Sequence, residues 1–295
     1  MSDLLPVDED GNLIVRIGHS PDPDDAFMFY AMTTNAFPTP GYNFVHELQD
    51  IETLNHRAMN KELEVSAVSI HAYPDIADDY ALMNCGASMG EGYGPMIVAK
   101  NGVTEEEAKS NPIAVPGLKT SAYLGIKLCW GDLNYEVVPF DEIIPKILDG
   151  TYKSGLIIHE GQLTYVDHDL DVLVDLGVWW NEKTGGLPMP LGGNVVRRDL
   201  GQQVMEDVTK YTKMSIEHSI ANPDVALQFA KKWGRGIDDE TNREFVTMYV
   251  NERTIDYKNE GRESIRMFLR EGQSIGLINS DFDVNSVQFI GSNES

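Results

Sequence analysis

Cysteine is scarce: only Cys85 and Cys129 occur in 295 residues, with no CxxC pair and no Cys/His cluster at zinc spacing. That argues against a disulfide framework or a structural metal, and it fits a reducing compartment with both thiols in the core. Positive charge is scarce too. Lys and Arg total 23 against 47 Asp and Glu, a formal charge of -24, and so negative a chain repels phosphate backbones and anionic headgroups. Neither nucleic acid nor a membrane surface is expected as a partner. No stretch approaches the roughly 18 uninterrupted apolar residues of a membrane span. Residues Met1 to Gly11 contain neither a basic nor an apolar segment, so export is not expected and the chain is read as cytoplasmic. GxGxxG, phosphate-loop, GxSxG and HExxH patterns are missing from the contexts that give them meaning, which leaves nucleotide-dependent chemistry unsupported. There is also no internal repeat, low-complexity tract or long linker.

What the chain does contain is a regular alternation of short β-branched runs and amphipathic stretches. Leu13 to Gly18 predicts a strand, followed by a Pro/Asp loop and a helix through Ala26 to Met32. Ile51 to Leu63, with Ile51, Leu54 and Ala58 on one face, predicts a helix before an extended Val65 to Ile70. Ile113 to Pro116 then precedes a helical Ala122 to Cys129, and Tyr135 to Val138 precedes a helix begun by Asp141. In the latter Ile144, Ile147 and Leu148 share a face, and Gly150 sits where a C-terminal cap belongs. Gly155 to Ile158 is a further buried strand candidate. Such alternation predicts an α/β protein with mostly parallel sheets, because parallel strands need crossover helices. From Asp199 the pattern becomes helical: Val204, Val208 and Tyr211 form one face, Asn222-Pro223 opens a helix with Val225, Phe229 and Trp233 inward, and 239 to 275 reads as helices. A chain of this length supports two cores.

Among chemically capable residues, His159 ends a predicted strand, where open α/β sheets present groups to ligands. A neutral imidazole there suits proton abstraction, although position alone is equally met by a structural histidine, with Glu160 and Tyr165 as neighbours. Thr120 and Ser121 follow Pro116-Gly117 at a helix start, a place that attracts anions and also a place for ordinary capping. Ser69 and His71 are expected on one side of the strand from Val65, and Gly86, Gly90, Gly92 and Gly94 mark either turns or close backbone approach to a ligand. Ser20 to Asp25 places three carboxylates and His19 at a helix start, which suits either the helix dipole or a hard cation. His168 to Asp171 reads as a solvated loop, while Trp179-Trp180 and Leu187 to Leu191 read as core or as a pocket wall.

Taken in order, the motifs Ser20-Pro21-x-Pro23-x-Asp25-x-Phe27, Asp50-Ile51-Glu52-Thr53-Leu54-Asn55 and Ser69-x-His71-Ala72-Tyr73 resemble the 1,4-dihydroxy-6-naphthoate synthase family of menaquinone biosynthesis by the futalosine route. The likeness continues through Gly92-x-Gly94-Pro95, Ala114-Val115-Pro116-Gly117, Gly155 to Gly161, Asp175-Leu176-Gly177-x-Trp179-Trp180 and Leu187-Pro188-x-Pro190-Leu191-Gly192. The resemblance implies a type II periplasmic-binding-protein-like fold with two α/β lobes and a ligand cleft between them. Residues 1–100 with 195–295 would form the larger, discontinuous lobe and 101–194 the smaller. It further implies a carbon–carbon lyase that splits cyclic dehypoxanthine futalosine into the naphthoate and dihydroxyacetone, without metal or organic cofactor. His159 would be the general base, and Ala67, Val68, Ser69, Thr120 and Ser121 would contact the small-molecule substrate. The chain departs from the family at Asp22, Asp24 and Ala26, where Cys, Asn and Thr are usual, and at Ala67, where Lys is usual. Two alternatives stand beside it: a cytoplasmic solute-binding protein of the fold that the resemblance implies, binding a small carboxylated metabolite, and a cation-assisted enzyme using Asp22, Asp24 and Asp25. Oligomeric state is not encoded in any pattern.

Overall fold

The structure is a computed structural model and describes residues 5–159, 161–232 and 238–291. Along the chain, β1 (Leu13–His19) leads to α1 (Pro23–Thr33), β2 (Tyr42–Leu48), α2 (Ile51–Met59), β3 (Val65–Ser69), β4 (Tyr80–Met83) and β5 (Ser88–Gly90). There follow β6 (Met96–Lys100), α3 (Glu105–Lys109), β7 (Ile113–Val115), α4 (Ser121–Trp130), β8 (Tyr135–Val137), α5 (Phe140–Leu148), β9 (Ser154–Ile157), α6 (Gly161–Thr164), β10 (Leu170–Asp175), α7 (Leu176–Thr184) and β11 (Met189–Arg197). The C-terminal third holds α8 (Gln202–Ala221), α9 (Pro223–Ala230), α10 (Asp239–Tyr249), α11 (Glu252–Ile255), α12 (Lys258–Ser274) and β12 (Phe289–Ile290).

Packing divides the described residues into two units: those up to Ser88, from Gly192 to Asn259 and from Asp283 onward, and those in Met89–Leu191 with Glu260–Phe282. Residues 260–282, grouped from the sequence with the larger lobe, pack here with the second unit. In the first unit the sheet runs β12-β4-β11-β3-β1-β2. β1 is parallel to both β2 and β3, so α1 and α2 serve as the crossovers such pairing requires. Its core gathers Val15, Ile17 and Val65 with Phe29 of α1 and Val208 and Ile216 of α8. Burial of Val204, Val208 and Tyr211 agrees with their spacing.

The second unit's sheet runs β10-β6-β9-β7-β8, with β9, β7 and β8 parallel. Its core includes Val98, Ala114, Ile143, Ile147 and Ile157. Trp180 is fully buried, and its indole N–H donates to Ser264 Oγ at 2.9 Å, while that hydroxyl donates to the Pro188 carbonyl at 2.5 Å. Both partners let a large aromatic be core without an orphaned donor.

Several local expectations are corrected. Helix α5 starts at Phe140, and its inward pair is Ile143 and Ile147, whereas Leu148 is 37% exposed. The physical reason lies in Gly155: a Cβ there would stand 2.4 Å from Ile143 Cγ2, so the bare glycine lets Ile143 lie on β9. In α9 the buried residues are Ala226 and Ala230, Phe229 is only partly covered and Val225 is exposed; Trp233 lies outside the described residues. Leu170 and Asp171 belong to β10 rather than to a loop, since Leu170 has a core place beside Val98. Cys85 is buried and Cys129 only half-buried. Gly150 has φ 89°, as a helix-ending glycine should.

Candidate functional site

In the first unit, the candidate residues collect where parallel strands end. β3 carries Ala67, Val68 and Ser69, all buried, and their backbones pair with Asn194, Gly193 and Gly192 of β11. The strand stops at Ser69, and Ile70–Asp75 forms a 3-10 helix, so His71 does not share a strand face with Ser69 as the alternation predicts. Pro74 inside that turn has no N–H to extend a ladder. Asn55, fully buried on α2, exchanges two bonds with Ser69: the Ser69 N–H donates to Asn55 Oδ1 at 2.8 Å, and Asn55 Nδ2 donates to Ser69 Oγ at 3.1 Å. No role was expected for Asn55, although a polar residue between Leu54 and Ala58 on a buried helix face is a visible signal.

β1 ends beside β3 and opens the acidic loop. Asp22, Asp24 and Asp25 are all buried. The Ser20 hydroxyl donates to Asp22, the Ser20 N–H donates to Asp25 Oδ2 at 2.7 Å, and the Asp22 N–H donates to Ser20 Oγ at 3.2 Å. The carboxylates thus organise the entry to α1, whose N-terminal dipole also favours them. Among the described residues no group of three or more His, Cys, Asp or Glu is disposed to hold a metal ion. His19, stacked on Phe29 with centroids 4.6 Å apart, has its pKa pushed down to about 4 by burial. It is therefore neutral at ordinary pH. Its Nδ1–H donates to the Ser20 carbonyl at 3.0 Å, which leaves Nε2 to accept from His46 Nδ1 at 3.2 Å.

In the second unit, β7 and β9 lie side by side in parallel, with Ala114 opposite Gly155, so the loop after β7 and the segment after β9 leave the same sheet edge. The first delivers Thr120 and Ser121, the second His159. Thr120 is the N-cap of α4: its hydroxyl oxygen accepts from the Tyr123 N–H at 3.1 Å and its proton goes to the Gly117 carbonyl at 2.8 Å. Ser121 donates to the Leu191 carbonyl at 2.5 Å. Capping is thus a role Thr120 fulfils outright.

His159 has φ 56°, the left-handed region that non-glycine residues rarely occupy. Its carbonyl accepts from the Gln162 N–H at 3.1 Å and so starts α6, and its partly buried ring meets Phe140 edge to face. This strained backbone position lies between the end of β9 and the start of α6 and sets the imidazole just beyond the strand. Glu160 lies outside the described residues.

Gly86, Gly90 and Gly94 face protein rather than open space. A Cβ at Gly90 would stand 1.9 Å from the Tyr93 carbonyl oxygen, one at Gly94 would stand 2.9 Å from the Gly177 nitrogen, and one at Gly86 would stand 2.2 Å from Asn194 Nδ2. Gly92, with φ 78°, marks a turn.

Residues 15–274 match the model of a family described as menaquinone biosynthesis. A 1,4-dihydroxy-6-naphthoate synthase of Thermus thermophilus is 34% identical over 263 residues, 89% of this chain and 95% of that protein. One from Streptomyces coelicolor is 31% identical over 271 residues, 90% and 94%. Among solved structures, a protein of Archaeoglobus fulgidus shares 43% identity with a TM-score of 0.86, over 90% of this chain and 98% of that one. The periplasmic aliphatic sulphonate binding protein of Escherichia coli superimposes with a TM-score of 0.67 at 8% identity, over 94% and 97%, which shows a periplasmic-binding-protein-like fold and nothing more.

Proposed function

The chain belongs to the menaquinone biosynthesis family, and from that premise we propose that it is the carbon–carbon lyase that splits cyclic dehypoxanthine futalosine into 1,4-dihydroxy-6-naphthoate and dihydroxyacetone. His159 is the general base. The observation that supports this role is its left-handed backbone at the end of β9, a strained setting of the kind that persists where a side chain must be aimed. The imidazole takes a substrate proton to begin the cleavage, and formation of the aromatic product draws the reaction forward. Ala67, Val68, Ser69, Thr120 and Ser121 contact the substrate, and the hydroxyl-bearing residues among them hold its polar groups. The reaction runs in the cytoplasm, where free Cys85 and Cys129 stay reduced. A solute-binding protein is not favoured, because the relatives that match most of the chain are synthases, whereas the sulphonate binding protein is similar in fold alone.

Turnover of cyclic dehypoxanthine futalosine by the purified protein, with and without a chelator, tests the proposal. His159→Asn is the informative variant, since Asn tolerates the left-handed region. It should fold and lose about 10²- to 10⁴-fold in kcat. Undiminished turnover would remove His159 from the mechanism, and loss on chelation would favour a cation-assisted reaction.

A further inference from the structure

The pairing of Asn55 with Ser69 fixes the direction of every hydrogen bond in it. A backbone N–H can only donate, so the Ser69 N–H identifies the Asn55 atom facing it as the carbonyl oxygen Oδ1. The amide nitrogen is then the group facing Ser69 Oγ, and Oγ accepts. The other amide hydrogen is directed to Glu52 Oε2 at 3.4 Å, one turn back on α2. Ser69's own hydroxyl proton is therefore turned away from Asn55, and among the described residues it meets no acceptor, although Ser69 is only 3% exposed. Thr120 and Ser121 differ, because their protons are committed to the carbonyls of Gly117 and Leu191. A buried donor without an acceptor is costly, and it is kept where a ligand supplies the missing partner.

We propose that Asn55 is a positioning residue that makes Ser69 an obligate hydrogen-bond donor, so that the substrate group seated at Ser69 is an acceptor oxygen, as a carboxylate or carbonyl provides. The proposal rests on Ser69 contacting the substrate, and it adds the polarity of that contact and the residue that sets it. A substrate hydroxyl at this point would be accommodated only as an acceptor.

Steady-state kinetics on the full-length protein test the assignment. Ser69→Ala should raise KM about tenfold or more, with kcat changed by less than about threefold. Asn55→Asp would accept both the N–H and the hydroxyl proton of Ser69, reversing the side-chain bond, and should raise KM to a similar degree. The double variant should be no worse than Ser69→Ala alone, since both changes remove one donor. Because a carboxylate at 55 would lie near Glu52, Asn55→Asp combined with Glu52→Gln serves if the single variant does not fold. A wild-type KM in folded Asn55→Asp, or multiplying effects in the double variant, would overturn the proposal. If the wild type itself fails to turn over cyclic dehypoxanthine futalosine, the proposed reaction falls, and neutron diffraction on the deuterated free protein decides the present point separately. The Ser69 deuterium should lie away from Asn55, and a deuterium directed at the Asn55 amide would refute the assignment.

Discussion

Phe140 and His159 meet edge to face, with ring centroids 4.9 Å apart and planes inclined at 67°. Phe140 is the first residue of α5, so the start of a helix in the second unit steers the imidazole that ends β9. Phe140→Leu keeps an apolar group but loses the ring edge. If His159 is the base, as proposed, this substitution should lower kcat by about tenfold and leave KM nearly unchanged, because misorientation of a base affects the proton-transfer step. An equal rise in KM would show that Phe140 shapes binding instead.

Asp25 ties the entry of α1 to Ser20 through a 2.7 Å bond from a backbone N–H to a buried carboxylate. Asp25→Ala leaves that N–H without its acceptor and should cost about 1–3 kcal/mol in urea unfolding. Asp25→Asn can still accept through its amide oxygen, so it should cost less. Equal losses would mean that charge at the helix start, not the bond, is what matters.

Glu64 accepts a two-pronged pair of bonds from Arg16, at 2.8 and 2.7 Å, and lies 3.4 Å from Arg197. Burial alone would raise its pKa, but the bonds from Arg16 and the charges of Arg16 and Arg197 outweigh it and hold the carboxyl below its ordinary 4.5. The unfolded chain then binds the proton more readily than the folded one, so this group's stabilisation is present above the ordinary value and fades as pH falls through the lower, folded value. Glu64→Gln should cost about 2 kcal/mol at pH 7, and should flatten the acid side of the stability profile. Thermal melts between pH 7 and pH 3 check both outcomes; an unchanged acid slope would remove Glu64 as its source.

Gly177, the second residue of α7, has no room for a side chain: a Cβ would stand 1.9 Å from the Tyr93 carbonyl oxygen and 2.6 Å from the Gly94 nitrogen. Since the obstacle is backbone, Gly177→Ala must displace a segment. It should lower stability by about 3 kcal/mol or more, within the range of severe overpacking. A melt within a degree of wild type would mean that the Tyr93 loop yields easily.

Much of this was legible in the residues. β-branched runs followed by amphipathic stretches located β1, β3, β7 and β9 and their crossover helices, because burial on two sheet faces and on one helix face leaves different periods. Where one face could not be distinguished from its neighbour, packing decided: Ile143 and Ile144 are equally apolar, and only Gly155 across from them selects Ile143. His71 was misplaced because alternation from Val65 does not reveal where a ladder ends. His159 was readable as a strand-end residue, but its left-handed backbone has no marker in composition, since glycine is the usual sign of that region and histidine stands there instead. Asn55 went unassigned because its partner Ser69 lies on a different element, 14 residues on.

The pairing of β12 with β4 carries a consequence for how the protein is made. Phe289 and Ile290 lie opposite Leu82 and Met83 across more than two-thirds of the sequence. At about 5–20 residues per second, a ribosome needs roughly 10–40 s between these strands. During that interval β4 presents an unpaired border to its surroundings, and the late-synthesised β12 acts as the clasp that removes it. Nascent chains released shortly before Phe289 should therefore be more prone to self-association than the finished protein.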